Sequence, residues 1–600
     1  MKQFKDRRIY ISGIFLIIFI SILLKLFWIQ IIDTSYKTSS DNNSQRKITK
    51  YPGRGLIYDR NNKLLVGNEI AYDIMIIPRQ TQSFDTSLLV NDLGIEIEDI
   101  RSRIEKAKKY SVYKPSLFYK QLSRLQYAYF QEHMYRLSGF YVQPRFMRKY
   151  EKSIAAHILG DVGEIDQVSL EKDTFYTIGD YVGRSGIEKY YEKQLRGFKG
   201  TNVFIVDVHN RIQGSYMGGK YDKEAIPGQD IILCIDSELQ EYGELLMVNK
   251  IGSIVAIEPS SGEILALVSS PSFDPSLLVG RSRGSNYDSL LNAANKPLYN
   301  RAVGASYPPG SIFKMVQAVI GLDQEVITEN TSFPCDRSTV GCHNHPPNSN
   351  LKRAIQYSCN PYFYALTKRL IQRGFEKSIF RDSRIGLEIW KDKVLNFGFE
   401  QAFDIGLPGV SKGKIPGPDY YDRLYGQHRW AYSTIYSLSI GQGEVLVSPL
   451  QMANLAAIIA NKGYYYIPHI AKNIGSKNID SIYLKPVSTS FDSKHFISVV
   501  DGMEAVVNEE FGTGRLGAIS GIKVCGKTGT AQNPHGADHS IFMAFAPKEN
   551  PKIAIAVYVE NAGFGGTWAA PIASLMMEKY LKDSVSNIAS ETRILNAKFN

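Results

Sequence analysis

Cysteine is scarce in this 600-residue chain: five residues, Cys234, Cys335, Cys342, Cys359 and Cys525. Five thiols are too few to scaffold a disulfide-rich secreted fold, and the odd count leaves at least one unpaired. Low-complexity and collagen-like bias are absent. Hydrophobic residues make up 44% and charged residues 22%, with 37 tyrosines and 28 phenylalanines, so the chain has ample material for packed cores. No zinc-finger spacing, bZIP-like basic helix or aromatic-glycine RNA-binding signature occurs. That removes nucleic acid from the partners a formal charge of +11 invites. The Lys/Arg surplus reads first as solvated surface, and anionic lipid or wall polymer are the polyanions left. Alanine does not occur before Ala71, which excludes the small-residue A-x-A site of a cleaved signal peptide.

What the N-terminus does hold is an apolar run from Ile9 to Ile32, interrupted mainly by Lys25 and Gln30. As a helix it spans roughly 36 Å, enough to cross a hydrocarbon layer with some tilt. Lys25 can snorkel its amine to the interface, and Trp28 suits an interfacial belt. Residues 1–8 form a short tail with Lys2, Lys5, Arg7 and Arg8, but Lys37, Arg46 and Lys47 follow the run closely, so charge alone does not orient it.

Six hundred residues exceed one hydrophobic core, and the expected class is α+β with several domains. Residues 33–50 are polar and read as a stalk. A first folded region is expected over 51–225, beginning with two apolar runs around the Asp59–Asn62 turn. A strand at Ile231–Ile235 and a helix near 236–248 follow. A second region is expected over 250–585, with 586–600 as a tail. In it, Ser253–Ile257 and Ile264–Val268 form a hairpin, and strand-like runs return at Ile522–Cys525, Ser540–Ala546 and Ile553–Val559. Strands from both ends and helices from the middle fit an antiparallel sheet covered by helices.

Three short patterns carry chemistry: Ser311-Ile312-Phe313-Lys314, Ser358-Cys359-Asn360 and Lys527-Thr528-Gly529-Thr530. Each alone is noise; an isolated serine and lysine are an N-cap and a solvated cation, and Lys-Thr-Gly is a plain turn. Three in this order are specific. Ser311 follows Tyr307-Pro308-Pro309-Gly310 and opens an apolar helical run, so free N–H groups surround its hydroxyl. Lys314, one turn on, can take its proton if burial and a second cation such as Lys527 keep the amine neutral. The N–H groups of Ser311 and Thr530 form an oxyanion hole. Lys527 and Thr528 suit a carboxylate, and Gly529 leaves room for a substrate backbone along its strand.

Around these residues the chain resembles the class B penicillin-binding proteins, within them the elongation type, penicillin-binding protein 2. Matching segments are Asn300-Arg301-Ala302, Ile440-Gly441-Gln442-Gly443-Glu444, Ser448-Pro449-Leu450-Gln451-Met452 and Phe545-Ala546-Pro547. Nearer the N-terminus, Arg54-Gly55-x-Ile57-x-Asp59-Arg60-Asn61 and Gly183-x-x-Gly186-x-Glu188 match, whereas Arg148 is followed by Glu151 where the family has proline. The resemblance implies a transmembrane anchor (9–32), a pedestal or dimerisation domain (51–225) and a transpeptidase domain (250–585). It implies acyl transfer from D-Ala-D-Ala stem peptides through Ser311, with covalent capture of β-lactams and no required cofactor. Lys314 becomes the base, Ser358 a proton relay and Asn360 the residue that orients Lys314. A SEDS-type glycosyltransferase is the implied partner through anchor and pedestal, and the catalytic domain lies in the periplasm.

Four alternatives stand beside this reading. A β-lactamase needs a Glu-x-x-Leu-Asn context, and only Asp392-Lys393-Val394-Leu395-Asn396 approaches it. A membrane β-lactam sensor needs a larger cytoplasmic segment or further spans. Intact motifs argue against a purely structural pedestal protein. A division-type relative shares the same chemistry. Between the first two motifs, Cys335, Cys342, His343 and His345 are soft donors, with zinc on Cys335, Cys342 and His345, a Cys335–Cys342 disulfide, or an unpaired polar loop as readings.

Overall fold

The computed structural model of the protein describes residues 2–32, 45–81, 86–177, 179–206 and 212–599. An α-helix runs from Lys2 to Phe27 and continues as a π-helical turn, Trp28–Ile32. Its Tyr10–Phe27 stretch has a mean hydropathy of 2.4, and none of it is buried in protein. An apolar helix with no protein around it matches a bilayer as its solvent.

The stalk expected over 33–50 is corrected at its end. Residues 33–44 lie outside the described residues, but Gln45–Lys50 is a strand paired antiparallel with Gly200–Val206. The pedestal expected as one block over 51–225 also divides. One compact unit comprises 1–54, 69–147 and 196–228, and the other 55–68, 148–195 and 229–600. The first unit has a small core of its own, in which Ile74, Leu89, Leu93, Ile100, Phe130 and the edge-to-face pair Phe118–Phe140 are buried.

In the second unit, Ile57-Tyr58 pairs with the chain beyond the Asp59–Asn62 turn, as the hairpin pattern predicts. Arg148 Nε donates to Glu188 Oε1 at 2.5 Å with both side chains buried. This pair joins the segment in which Glu151 stands where the family has proline to the matching Gly183–Glu188 segment. The 586–600 tail is corrected as well: Ile588–Asn596 is a helix, with Ile594 buried and Glu591 accepting from Tyr242 at 2.7 Å.

The centre of this unit is a five-stranded antiparallel sheet. Its order is Ile264–Ser270, Gly252–Ile257, Ile553–Val559, His539–Ala546, Cys525–Ala531. The predicted hairpin and the two later strands are present, but the last strand starts at Cys525, where the sequence reading ended it. Helix Pro449–Ala460 packs on three of these strands and is buried along its whole length. Such an all-round apolar helix is stable only inside a core. Its start is fixed locally: Ser448 Oγ accepts from Gln451 N, Gln451 Oε1 accepts from Ser448 N, and Pro449 fills the first turn.

Candidate active site

Ser311 lies in a 3-10 turn, Gly310–Phe313, that leads into the helix Lys314–Asp323. Apolar residues Ile312, Phe313, Met315 and Val316 bury this element and carry Lys314 into the interior with them; the lysine is fully buried. Its amine donates to Ser358 O at 2.7 Å, Ser358 Oγ at 3.2 Å and Asn360 Oδ1 at 2.6 Å. Among the described residues no hydrogen bond joins that amine to the Ser311 hydroxyl, so the contact expected from the one-turn spacing is replaced by contacts to the second motif. Burial lowers the Lys314 amine to about 8.

The second motif is placed by a strained residue. Ser358 has φ +53, in the left-handed region that costs a non-glycine residue of order 1 kcal/mol, and helix Asn360–Ile371 starts two residues later. That turn aims the Ser358 hydroxyl at a second amine: Lys527 Nζ donates to it at 2.8 Å and to Thr528 O at 3.0 Å. Lys527 is also fully buried, and burial followed by Lys314 pushes its amine well below the ordinary lysine range. A hydroxyl oxygen has two lone pairs, and here two amines use both. The serine's own proton is left to donate, so Ser358 bridges two groups that cannot cheaply both be cations.

Lys527, Thr528, Gly529 and Thr530 are consecutive on Cys525–Ala531, the terminal strand of the sheet. The hydroxyls of Thr528 and Thr513 lie 2.7 Å apart. Gly529 is buried, and a Cβ there would meet Pro309 O at 3.0 Å and Ile541 Cβ at 3.1 Å. The missing side chain therefore makes room for the loop that delivers Ser311, a reason the sequence did not disclose. Ser311 and Thr530 are half-buried beside this loop.

Cys335, Cys342, His345 and Cys359 bring their donor atoms within 4.8 Å of one another, and all five cysteines are free thiols. His343 contacts the His345 ring but is not part of the cluster. Cys359 was missed as a donor; its position inside Ser-x-Asn was the available signal. Its approach to Cys342 pushes the Cys342 thiol down and the Cys359 thiol up. Asn360 Nδ2 donates to Gly341 O at 2.7 Å, so the loop that holds Cys342 also touches the second motif. Asp392–Asn396 falls at the end of helix Ile379–Leu395, where Lys393 pairs with Asp323 at 2.9 Å.

A buried pair of amines around one hydroxyl, beside a serine at the head of a helix, on the edge of an antiparallel sheet, defines a penicillin-recognising serine transpeptidase. Comparison with known proteins agrees. Residues 252–578 match the penicillin binding protein transpeptidase domain, and 49–233 match the penicillin-binding protein dimerisation domain. The chain belongs to the penicillin-binding protein transpeptidase family, and within it to class B of the elongation type, penicillin-binding protein 2.

Its relatives include the peptidoglycan D,D-transpeptidase MrdA of Acinetobacter baumannii, 30% identical over 97% of this chain and 88% of that protein. MrdA of Haemophilus influenzae is 30% identical over 96% and 92%. Similar solved structures are Pseudomonas aeruginosa PBP2 in complex with WCK 5153 (28% identity, 90% and 97% covered, TM-score 0.66) and the Helicobacter pylori complex of PBP2 with MreC (26%, 90% and 100%, TM-score 0.72). The chain is a serine-type peptidoglycan D,D-transpeptidase of cell elongation, held by a single-pass membrane anchor.

Proposed function

We propose that Ser311 is the acyl-ester nucleophile for D-Ala-D-Ala stem peptides. The observation that carries this reading is the convergence of Lys314 and Lys527 on Ser358 Oγ beside Ser311. Neutral Lys314 accepts the Ser311 proton as Oγ bonds to the carbonyl carbon of the penultimate D-alanine. The N–H groups of Ser311 and Thr530 stabilise the oxyanion, with one such donor worth roughly 3–4 kcal/mol. The peptide C–N bond then breaks, and Ser358 relays the proton from Lys314 to the departing D-alanine nitrogen. An amine of a neighbouring strand attacks the ester, the cross-link forms, and the proton it loses returns Ser311 to its hydroxyl. Asn360 holds Lys314. Lys527, Thr528, Gly529 and Thr530 receive the substrate end that carries the carboxylate, whose charge restores the Lys527 proton that burial disfavours.

The test is labelling with a fluorescent penicillin and peptide mapping of the adduct. Wild type labels on Ser311 and Ser311→Ala does not; persistent label on the variant overturns the assignment.

Cys335, Cys342, His345 and Cys359 are read as holding a structural zinc ion. Three thiol sulfurs and an imidazole fit its preference for four S/N ligands. His345 Nδ1 donates to Pro346 O at 2.7 Å, which leaves Nε2 for a metal. Zinc would supply no chemistry to acyl transfer; it would fix the loop beside Asn360 and Ser358. Elemental analysis of purified protein is expected to give about one zinc per chain, lost in Cys342→Ser. A metal-free protein with a Cys335–Cys342 disulfide would refute this.

The catalytic domain is read as extracytoplasmic, because its substrate lies there, and a SEDS-type glycosyltransferase as its partner through anchor and pedestal. Protease protection in intact cells against spheroplasts, and co-purification with and without residues 9–32, test the two statements.

A further inference from the structure

The turn 437–443 touches both halves of the proposed oxyanion hole. Gly441 O accepts from Gly310 N at 2.9 Å, directly before Ser311. One residue on, Gln442 Nε2 donates to Thr530 O at 2.9 Å, across 88 residues of sequence. The turn itself is held firmly. Gln442 N donates to Ser437 O at 3.1 Å, Gln317 Nε2 donates to Leu438 O at 3.1 Å, and Trp390 Nε1 donates to Gln317 Oε1 at 2.8 Å. Gly441 has φ +68, and a Cβ there would stand 2.3 Å from Gly310 O, so the turn sits as close to the nucleophile loop as backbone allows.

In an extended strand the N–H and C=O of one residue point to the same side. A donor that pins the Thr530 carbonyl therefore also fixes the side to which the Thr530 N–H points. Cys525–Ala531 pairs on one side only, with His539–Ala546, so among the described residues no strand bonds the outward N–H and C=O groups, and their exact tilt is left to contacts such as that of Gln442. A carbonyl has a second lone pair, so the Gln442 bond still leaves one acceptor site for a substrate amide.

We propose that Gln442 is a positioning residue of the oxyanion hole: with Gly441 it sets the separation of the Ser311 and Thr530 N–H groups. This rests on the reading of those two groups as the oxyanion donors. Because Gln442 acts through Thr530 rather than on the drug, its loss slows bond formation without weakening the initial complex.

The experiment is the time course of acylation of the full chain in detergent micelles by a fluorescent penicillin, over a range of drug concentrations, for Gln442→Glu and Gln442→Met. Glutamate keeps the shape and puts an acceptor against the Thr530 carbonyl; methionine removes the donor without adding charge. The limiting acylation rate constant is expected to fall about 10- to 100-fold in both, with the half-saturating drug concentration within threefold of wild type. Misfolded molecules lower the end-point amplitude and not the rate constant, so instability of a variant does not mimic this result. Rate constants within twofold of wild type, or a fall carried by half-saturation alone, overturn the proposal. Ser311→Ala run alongside separates the two levels: label on that variant defeats the nucleophile reading, whereas a blank there with unimpaired Gln442 variants defeats only the role of Gln442.

Discussion

Replacing Lys314 with arginine keeps a cation at the heart of the site and removes every chance of a neutral base, since a guanidinium stays protonated in proteins. In the wild type, burial brings the Lys314 amine down to about 8, so the base-competent form is in reach. Roughly one tenth of the molecules carry it at pH 7 and roughly nine tenths at pH 9, so the acylation rate is expected to rise about tenfold between them. The direction is set by the sign of the shift: lowering a lysine pKa populates the neutral form at lower pH, so rate is gained as pH rises and lost below 8. A positioned general base contributes about 10²–10⁴-fold, and Lys314→Arg forfeits it at every pH. Stopped-flow mixing with a fluorescent penicillin from pH 6 to 9.5 measures both curves, and intact-mass spectrometry counts the adduct. A variant within threefold of wild type, or a wild-type profile already flat at pH 7, would refute the assignment of Lys314 as base.

Glu188→Gln leaves the buried Arg148 guanidinium without its carboxylate, and the unit is expected to lose about 3–5 kcal/mol, read by urea unfolding. Ser448→Ala removes the cap of helix Pro449–Ala460 and costs about 1 kcal/mol in the same assay, with acylation kinetics unchanged. Gly441→Ala has no room against Gly310 O and is expected to abolish labelling or expression, judged by in-gel fluorescence at equal protein.

The three motifs of the candidate site were legible because each is local: a serine and lysine one turn apart, a polar step before a helix, a glycine-bearing strand. What joins them was not. That Lys314 turns its amine to Ser358 and not to Ser311 depends on a left-handed φ at Ser358, which no side-chain pattern announces. The bond from Gln442 to Thr530 and the ion pair from Arg148 to Glu188 link residues far apart in sequence, where composition is silent. That Gly529 also makes room for Pro309 was hidden, because Pro309 arrives from another motif. The pedestal region, matched as one dimerisation domain over 49–233, interleaves with the larger unit in a way that linear order hides. Segments 55–68 and 148–195 belong to the larger unit, since their apolar residues, Ile57, Val66, Ile158 and Ile187 among them, are buried in its core.

Strand Gly252–Ile257 finds its central neighbour only at Ile553–Val559, so the sheet closes a loop of roughly 300 residues. Until that late strand has been synthesised, Ser311 has no platform, and the apolar helix Pro449–Ala460 has lost part of its cover. A chain stopped before Ile553 is therefore expected to take no label from a fluorescent penicillin and to aggregate, because the sheet beside Ser311 lacks its central strand.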